Sequence, residues 1–315
     1  MGSSFVIATY NRPKELHRCL RSVLGQTVPP DEIVIVDSSD EEVDIGAQML
    51  GAGGITELVQ LRAEPWLTRQ RNLGVAASSG DPVFFVDDDA ELDPNFHAAM
   101  LQTFSSGDCG IGGVQATMND NGCRAWPVRA FKAFFLLTRR TKSAPGRMLP
   151  SGHHTIPVDP EHAIGSEVLW TGATAYRRHV LDEFRFDESL DGPCLRDDID
   201  FSYRVSRRYR LVITPDARFS HRKAPGARID ARRLVAMQLV NEYRLFGKNL
   251  PSTPRYRAAF AWAMIGTTLL EITKSAATGR AAYLLGLLDG LREIRRLART
   301  TTEERLVSEG RAGTS

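Results

Sequence analysis

The chain has 315 residues, of which 42% are hydrophobic and 25% charged, and its formal net charge is +2. These values are typical of a soluble globular protein and argue against a nucleic-acid-binding protein, which would carry a clear excess of positive charge. The four cysteines form no Cys-x-x-Cys pair, so we expect reduced cytoplasmic thiols and no zinc site. No signal peptide is predicted, because the apolar run at 5–8 is too short for one. No membrane-spanning helix is predicted either, because the longest uncharged apolar run, 258–270, is shorter than the ~20 residues that a span needs.

The first third of the chain alternates strand and helix patterns. Continuous apolar or β-branched runs predict strands at 4–10, 33–37, 56–61 and 83–86. Helical spacing of apolar residues predicts two helices, 14–26 and 66–80, the first with Asn11 as its N-cap. Short apolar strands that alternate with helices are typical of a parallel sheet covered by helices. Ligands bind such sheets beyond the carboxyl ends of the strands, where Asp37 and three further aspartates stand.

The second part of the chain contains a basic and aromatic segment and ends in helical patterns. Residues 121–158 contain no acidic side chain, and within them 124–147 carries seven positive charges among aromatic residues. The segment 168-VLWTGATAYRR-178 comes next in the chain. The remaining predicted elements are, in chain order, an acidic loop at 187–201, a helix near 199–208, a strand at 210–214, helices from 228 to about 249, over 255–276 and over 280–299, and a disordered tail over 301–315.

Three consecutive aspartates, Asp87, Asp88 and Asp89, follow the strand at 83–86. Like charges this close repel each other unless a positive group lies among them. Carboxylates at a ligand-binding edge suit Mg²⁺ or Mn²⁺, and Mg²⁺ is usually shared with substrate phosphates, which implies a nucleotide. The alternative is a solvated acidic turn that caps the following helix.

A second acidic cluster, 197–200, and His221 favour the metal site. A histidine can complete the coordination of a metal ion, and a carboxylate of the second cluster can act as a base. Each feature also has a simpler explanation by itself, since His221 could be a surface histidine and 197–200 the acidic first turn of a helix.

Taken in order, five groups of residues resemble the family 2 inverting glycosyltransferases of the GT-A fold. The matching segments are 5-FVIATYNRP-13, 33-IVIVDSSD-40, 71-RNLGVAASSGDPVFFVDDD-89 with the DxD motif, 169-LWTGATAYRR-178 with 186-FDESL-190, and 197-DDIDFSYRV-205. The resemblance runs from about residue 4 to about 225. It implies an α/β fold with a Rossmann-like, mixed and mostly parallel sheet flanked by helices, followed by a C-terminal helical extension.

The resemblance also implies a division of the chain into domains. The catalytic domain would span 1–227, with a nucleotide-binding half over 1–107 and an acceptor-binding half over 108–227. The helical extension would span 228–300, and the tail 301–315 would follow it.

The resemblance implies roles on the donor side of the site. Thr9, Tyr10 and Asp37 would line the pocket for base and ribose, and Arg12 would also contact the donor. Asp87 and Asp88 would hold the ribose or approach the diphosphate. Arg69 or Arg71 would add positive charge to the phosphates, and the sequence does not distinguish the two.

Further roles follow for the metal and the acceptor. Asp89 would coordinate Mn²⁺ or Mg²⁺, with His221 as a second ligand. Asp198 would deprotonate the acceptor hydroxyl, and the pair Asp197-Asp198 has aspartate where the family has glutamate at the first position. Trp170 and Gly172 would lie on the acceptor side.

The implied function is metal-dependent, inverting transfer of a hexose from a nucleotide-sugar donor to a glycan, glycolipid or other acceptor. Envelope polysaccharide or glycolipid assembly by a rhamnosyltransferase-like enzyme is the expected setting. The alternatives are an inactive nucleotide-sugar-binding protein of the same fold and a nucleotidyltransferase. The turn 8-ATYNRP-13 contains no glycine, which disfavours a nucleotidyltransferase and an NAD-dependent oxidoreductase.

For two segments the sequence allows more than one binding partner. The basic segment 124–147 could meet an anionic lipid-linked acceptor or a membrane surface, or it could be the solvated face of an ordinary helix. The C-terminal helices could make a peripheral contact on the cytoplasmic face of the membrane, form a homodimer interface, or pack against the catalytic domain.

Overall fold

The computed structural model describes residues 2–45, 57–106, 110–119, 126–141, 144–157, 160–170, 172–190, 195–222 and 230–312, with the backbone alone for 301–312. The predicted loop glycines at 51–54 and three of the four cysteines lie outside the described residues. So do Arg124 and Lys142 of the basic segment.

The described strands form one large mixed sheet and one small sheet. They are β1 (Ser4–Thr9), β2 (Glu32–Asp37), β3 (Glu57–Arg62), β4 (Val83–Asp87), β5 (Ala90–Leu92), β6 (Ile111–Met118), β7 (Arg139–Thr141), β8 (Thr155–Pro157), β9 (Ile164–Ser166), β10 (Ala173–Tyr176) and β11 (Arg210–His221). The large sheet has the order β3-β2-β1-β4-β10-β6-β11-β5, with β9 also paired to β11. Strands β5, β9 and β10 run antiparallel to their neighbours and the other strands of this sheet are parallel, which confirms the predicted fold class.

The chain divides into two compact units. The first comprises Met1–Ala133, Thr138–Leu149 and His153–Arg228, and the second comprises Phe134–Leu137, Pro150–Gly152 and Ile229–Ser315. The helices that the structure describes before residue 228 are α1 (Pro13–Leu24), α2 (Leu67–Ala77), α3 (Phe96–Ser106), α4 (Trp126–Phe134), α5 (Arg178–Glu183) and α6 (Asp197–Ser206). The second unit carries α7 (Ala231–Asn249), α8 (Pro254–Thr278) and α9 (Ala282–Ala312).

The sheet of the first unit has a core on each face because its strands alternate side chains between the two faces. On one face Phe5, Ile7 and Phe84 pack with α1 and α3, where Cys19 is also buried. On the other face, Val6 and Phe85 pack with side chains of α5 and α6. Every residue of β2 is buried, as its continuous apolar run predicts.

Three local predictions from the sequence are wrong. Asn11 does not cap α1: it has a φ of 53° and donates a hydrogen bond to Asp40 Oδ2 at 2.9 Å. Arg12 occupies the cap position, and its side chain does not cap the helix. The helix predicted to reach residue 80 ends at Ala77, and Ser78 is extended. Strand β11 continues seven residues past Thr214, because its pairing with β6 skips an irregular stretch at Pro215 and resumes at Arg218.

The last helix also differs from its predicted bounds. The backbone of α9 is helical to Ala312, whereas the sequence predicts the end of this helix near residue 299. The polar composition of 301–315 predicts a tail, but glutamate and arginine, which contribute much of that polarity, are compatible with helix.

Candidate functional site

The candidate site lies at the edge of the sheet where β1, β2, β4 and β11 end. In the register of the parallel strands Thr9 stands opposite Asp37, and Asp87 is the last residue of β4. Strand β10 runs in the opposite direction and therefore begins at this edge, where the Asp87 N–H donates to the Gly172 carbonyl at 3.2 Å. The topology thus brings together residues from β1, β2, β4, β10 and β11 that are far apart in the sequence.

Asp87, Asp89 and His221 form a group that fits a divalent cation. One ligand atom from each lies within 4.8 Å of the other two. His221 Nε2 is 3.0 Å from Asp89 Oδ1 and 4.0 Å from Asp87 Oδ2. The pairing of β5 with β11 produces this arrangement, because it sets His221 opposite Ala90. Two carboxylates and an imidazole suit a divalent cation, and these donors do not distinguish Mn²⁺ from Mg²⁺.

Asp88 belongs to a different set of contacts. Its Oδ2 accepts a hydrogen bond from Thr9 Oγ1 at 2.9 Å, and its Oδ1 lies 3.1 Å from Arg12 Nη1. The same Arg12 nitrogen is 3.2 Å from Asp89 Oδ2. Burial raises the pKa of Asp88 to about 6, although Arg12 and Thr9 oppose this shift. Arg12 is therefore one positive group beside the three aspartates, and Asp88 joins the turn after β1 to the end of β4.

Arg71 is the second positive group and links two parts of the site. Its side chain is only 4% exposed, its Nη2 is 3.4 Å from Asp87 Oδ1, and its Nη1 forms an ion pair with Asp197. Asp197 lies in the first turn of α6 and is buried, and burial raises its pKa. Arg69 is 50% exposed, pairs with Glu188 and lies over the Trp66 ring. The structure thus places Arg71 inside the cluster and Arg69 outside it.

Asp198 stands beside Asp197 at the start of α6, half-buried. The helix begins after Arg196, whose φ of 73° is left-handed and whose Nη2 donates to His153 Nδ1 at 2.7 Å. Ser202 fixes α6 to the segment before β10 through two hydrogen bonds with the backbone of Leu169. These contacts hold the carboxylate pair in a defined position.

Trp170 and Gly172 lie in the chain segment that enters β10, directly after Leu169, which Ser202 of α6 contacts. The backbone N–H of Trp170 donates to Gln115 Oε1 at 2.8 Å. The Trp170 ring stacks on the His154 ring with the centroids 5.9 Å apart. Gly172 has a φ of 128°, which strains any other residue, and a Cβ there would lie 3.1 Å from the Phe219 ring. Burial, with the charge of Arg196, lowers the pKa of His154 to about 3, so this imidazole is neutral.

Asp37 is fully engaged by its own loop. Its carboxylate is completely buried and accepts hydrogen bonds from the N–H groups of Ser39 and Val43, both at 2.8 Å. Arg62 Nη1 lies 3.1 Å away. Burial alone would raise the pKa of Asp37, but these hydrogen bonds and the charge of Arg62 lower it. In this structure Asp37 shapes the loop after β2, and the neighbouring Tyr10 presents an exposed ring.

Several site contacts were missed by the sequence reasoning. Gln70 Nε2 donates to the carbonyls of Thr9 and Val36 and so joins the ends of β1 and β2. A lone glutamine within a helix gives no signal for this role. Arg62 was detectable, because a parallel register of β2 and β3 sets it opposite Asp37.

The basic segment 124–147 is described in part. Helix α4 lies within it, and the side chains of Trp126 and Phe134 are exposed. Among the helices that the structure describes, none combines the length and the apolar character needed to cross a bilayer.

Comparison with known proteins gives a family match and several relatives. The family model described as Glycosyl transferase family 2 matches residues 4–165. "Uncharacterized glycosyltransferase YwdF" of Bacillus subtilis (strain 168) is 32% identical over 108 residues, which are 34% of this chain and 40% of that protein. "Glucosyl-dolichyl phosphate glucuronosyltransferase" of Haloferax volcanii is 30% identical over 109 residues, or 34% of this chain and 35% of that protein.

A longer match and a solved structure extend the comparison. "Uncharacterized protein MT1568" of Mycobacterium tuberculosis is 35% identical over 227 residues, which are 67% of this chain and 64% of that protein. The alignments therefore span less than two thirds of each of these three relatives. The crystal structure of GalNAc-T7 with UDP, GalNAc and Mn²⁺ superposes with a TM-score of 0.54 at 18% identity, covering 88% of this chain and 58% of that one. At this identity the superposition shows a shared fold.

Proposed function

The chain belongs to glycosyl transferase family 2, whose model matches just over half of its 315 residues, and we propose that it transfers a sugar from a nucleotide-sugar donor to an acceptor hydroxyl. The observation that carries this proposal is the convergence at one sheet edge of the group Asp87, Asp89 and His221 with the carboxylates of α6, joined through Arg71.

On the donor side, Asp87, Asp89 and His221 would hold Mn²⁺ or Mg²⁺. The bound cation would neutralise the diphosphate as it leaves. That GalNAc-T7, which shares the fold, was crystallised with UDP and Mn²⁺ supports this assignment. Thr9, Tyr10 and the loop shaped by Asp37 would contact the base and ribose.

Arginines would supply further charge for the phosphates. We favour Arg71 over Arg69 for this role, because Arg71 lies inside the cluster and Arg69 pairs with Glu188 outside it. Arg12, which lies between Asp88 and Asp89, would also face the donor. Asp88 would act indirectly by holding the turn after β1.

On the acceptor side, Asp198 would remove the proton of the attacking hydroxyl. The oxygen then bonds to the anomeric carbon from the face opposite the diphosphate, and this single displacement inverts the configuration without a covalent enzyme intermediate. Asp197 is engaged by Arg71 and would position α6 rather than share the proton transfer. Trp170 and Gly172 would line the approach of the acceptor.

We also propose a domain division, a class of donor and a class of acceptor. The catalytic domain would span 1–227, divided near residue 107 between donor and acceptor halves, with the helical extension over 228–300. A rhamnosyl or other hexosyl donor and a glycan or lipid-linked acceptor of the cell envelope are proposed, at the cytoplasmic face of the membrane. The dolichyl phosphate in the name of the Haloferax relative supports a lipid-linked acceptor.

The test is a panel of UDP-, dTDP- and GDP-sugars with Mn²⁺, in which release of the nucleoside diphosphate is measured. We expect one donor to be consumed, and Asp198→Asn to lower the rate by about 10²- to 10⁴-fold, the usual contribution of a general base. Asp216→Asn, at an exposed position of β11, is the matched control and should leave the rate unchanged.

Other outcomes point to the alternatives. A donor that binds but is never consumed would indicate an inactive nucleotide-sugar-binding protein, and release of pyrophosphate would indicate a nucleotidyltransferase. If no donor binds with Mn²⁺ present and Asp89→Ala changes nothing, the proposal fails.

A further inference from the structure

Helix α8 exposes a long apolar stripe on the side that faces away from the core of the second unit. Its members recur every three or four residues and are Ala258, Ala261, Ile265, Leu269, Ile272 and Ala276. The opposite side of the helix is buried at Ala263, Thr267 and Glu271. The buried side therefore carries small and polar residues, whereas the large apolar side chains of Ile265, Leu269 and Ile272 remain exposed, the reverse of what packing against a core requires.

Helix α9 repeats this arrangement. Leu284, Leu285, Leu288 and Leu291 are exposed, while Gly286 and Gly290 face α7. A Cβ on Gly286 would clash with the Arg232 carbonyl, so the glycines explain how α9 approaches α7 closely. The four leucines form a second exposed apolar row.

The polar residues on the exposed sides of both helices are mainly basic. Arg255 and Arg257 are exposed at the start of α8, and Arg295, Arg296 and Arg299 follow the leucine row of α9. The single acidic residue of α8, Glu271, is buried and pairs with Lys274. In α9 before residue 301 the carboxylates of Asp289 and Glu293 both pair with arginines. The exposed rows therefore combine apolar side chains with net positive charge.

An aromatic pair stands at the start of the α8 stripe. The Trp262 Nε1–H donates to the Phe134 carbonyl at 2.8 Å, and the two rings meet edge to face with centroids 5.2 Å apart. The Phe134 ring is exposed. Tryptophan is enriched where apolar and polar environments meet, as at the headgroup level of a bilayer.

A second copy of the chain or a lipid surface could cover these rows, and their charges differ. A second copy of the chain would bring arginines against arginines, and the exposed side of α8 offers no carboxylate to pair with them. An anionic lipid surface supplies both an apolar layer for the leucine and isoleucine side chains and negative headgroups for the arginines. We propose that α8 and α9 dock on the surface of a membrane that contains anionic phospholipid, lying along it without crossing. This inference does not depend on the transfer activity.

The test is co-sedimentation of the full chain with vesicles of phosphatidylcholine alone and of phosphatidylcholine with phosphatidylglycerol. We expect binding to the anionic vesicles that weakens with added salt. The combined variant Ile265→Gln, Leu269→Gln and Leu288→Gln should bind about 100-fold more weakly, at roughly fivefold for each apolar side chain withdrawn from the bilayer.

Matched variants distinguish docking through α8 and α9 from the effect of removing any exposed apolar side chain. Ile272→Gln (43% exposed) should weaken binding about fivefold, whereas Val28→Gln (42% exposed, in the first unit) should not change it. The variant Arg295→Gln, Arg296→Gln and Arg299→Gln should lose the preference for phosphatidylglycerol, about fivefold for each charge. These arginines are surface residues, so the arginine variant carries the test if thermal melting shows that the combined apolar variant does not fold.

Three results would overturn the proposal. The first is a wild-type chain that binds neither kind of vesicle. The second is a folded apolar variant that binds as the wild type does. The third is a dimer, seen in sedimentation velocity, that the apolar substitutions dissociate while vesicles remain unbound, which would show that a second copy covers the rows.

Discussion

Asp87, Asp88 and Asp89 are neighbours in the chain, but they have different partners. Asp88 contacts Thr9 and Arg12, whereas Asp87 and Asp89 lie with His221 in the group that fits a cation. Asp87 ends β4, whereas Asp88 and Asp89 lie in the turn before β5, and this turn directs the Asp88 carboxylate towards Thr9 and Arg12. The repulsion expected among the three is therefore relieved by two arginines of the fold as well as by the cation that we propose.

Arg71 and Arg69 provide a matched pair for testing the buried ion pair. Arg71→Met should lower the free energy of unfolding by about 3 kcal/mol, because it leaves the buried Asp197 without its partner. Arg69→Met should change it by no more than about 0.5 kcal/mol, since exposed ion pairs contribute little. Urea denaturation at pH 8 with EDTA measures both values, and equal effects of the two substitutions would contradict the assignment.

His154 makes the stability of the protein depend on pH. Its pKa in the folded state is about 3, below the 6.5 of an unperturbed histidine, because burial disfavours the charged form. Protons therefore favour the unfolded state, and the stability is lost as the pH falls below about 6.5. We expect the titration of His154 to lower the free energy of unfolding by about 2 to 3 kcal/mol between pH 7 and pH 4.5.

The measurement compares the wild type with His154→Phe, which can retain the stacking on Trp170. The variant should lose less stability than the wild type over this pH range, in urea denaturation at each pH. His162→Phe, at an exposed position, serves as the control and should follow the wild type. A variant as sensitive to acid as the wild type would show that His154 is protonated in the folded state.

At the scale of elements, helix α9 depends on glycine where it meets α7. Gly286→Ala should destabilise the protein by about 1 to 3 kcal/mol, because the added methyl group would force α9 away from the Arg232 carbonyl. Gly247 in α7 has open space around it, so Gly247→Ala should instead stabilise the protein by about 0.5 kcal/mol through helix propensity. Thermal or urea unfolding of the two variants shows whether each substitution raises or lowers the stability. A neutral or stabilising Gly286→Ala would contradict this packing.

The elements that the sequence predicted well are those whose own pattern determines them. The fully apolar run of β2 specifies a buried strand in any such sheet. Strand β11 was cut short because Pro215 interrupts its pattern, and only its pairing with β6 shows that the strand resumes. The antiparallel strand β5 has three residues and no pattern of its own, yet it is what sets His221 beside Asp89.

The same distinction applies to the site. That Asp37 and the three aspartates stand at the same edge followed from the rule for parallel strands, which needs no side-chain detail. The ion pair between Arg71 and Asp197 joins residues 126 positions apart, and it depends on how α2 and α6 pack against the sheet. No local pattern encodes such a contact, which is why the sequence left the choice between Arg69 and Arg71 open.

At the scale of the whole molecule, family membership rests on residues 4–165, all before α6. Asp198 and His221 come later in the chain. Asp198 lies in α6, and His221 is the last residue of β11. Beyond family membership, we propose that Asp87, Asp89 and His221 act as one site for a cation that carries the donor diphosphate.

Calorimetric titration of nucleoside diphosphates measures whether the cation carries the diphosphate. UDP, GDP and dTDP are each titrated into the wild type, Asp89→Ala and the surface control Asp216→Asn, with Mn²⁺ or with EDTA. One of them should bind the wild type and the control in Mn²⁺, and affinity should fall about 100-fold or more in EDTA and in Asp89→Ala, as loss of a metal-mediated contact predicts. Equal affinity with and without Mn²⁺, or an Asp89→Ala variant that binds as the wild type does, would contradict the account.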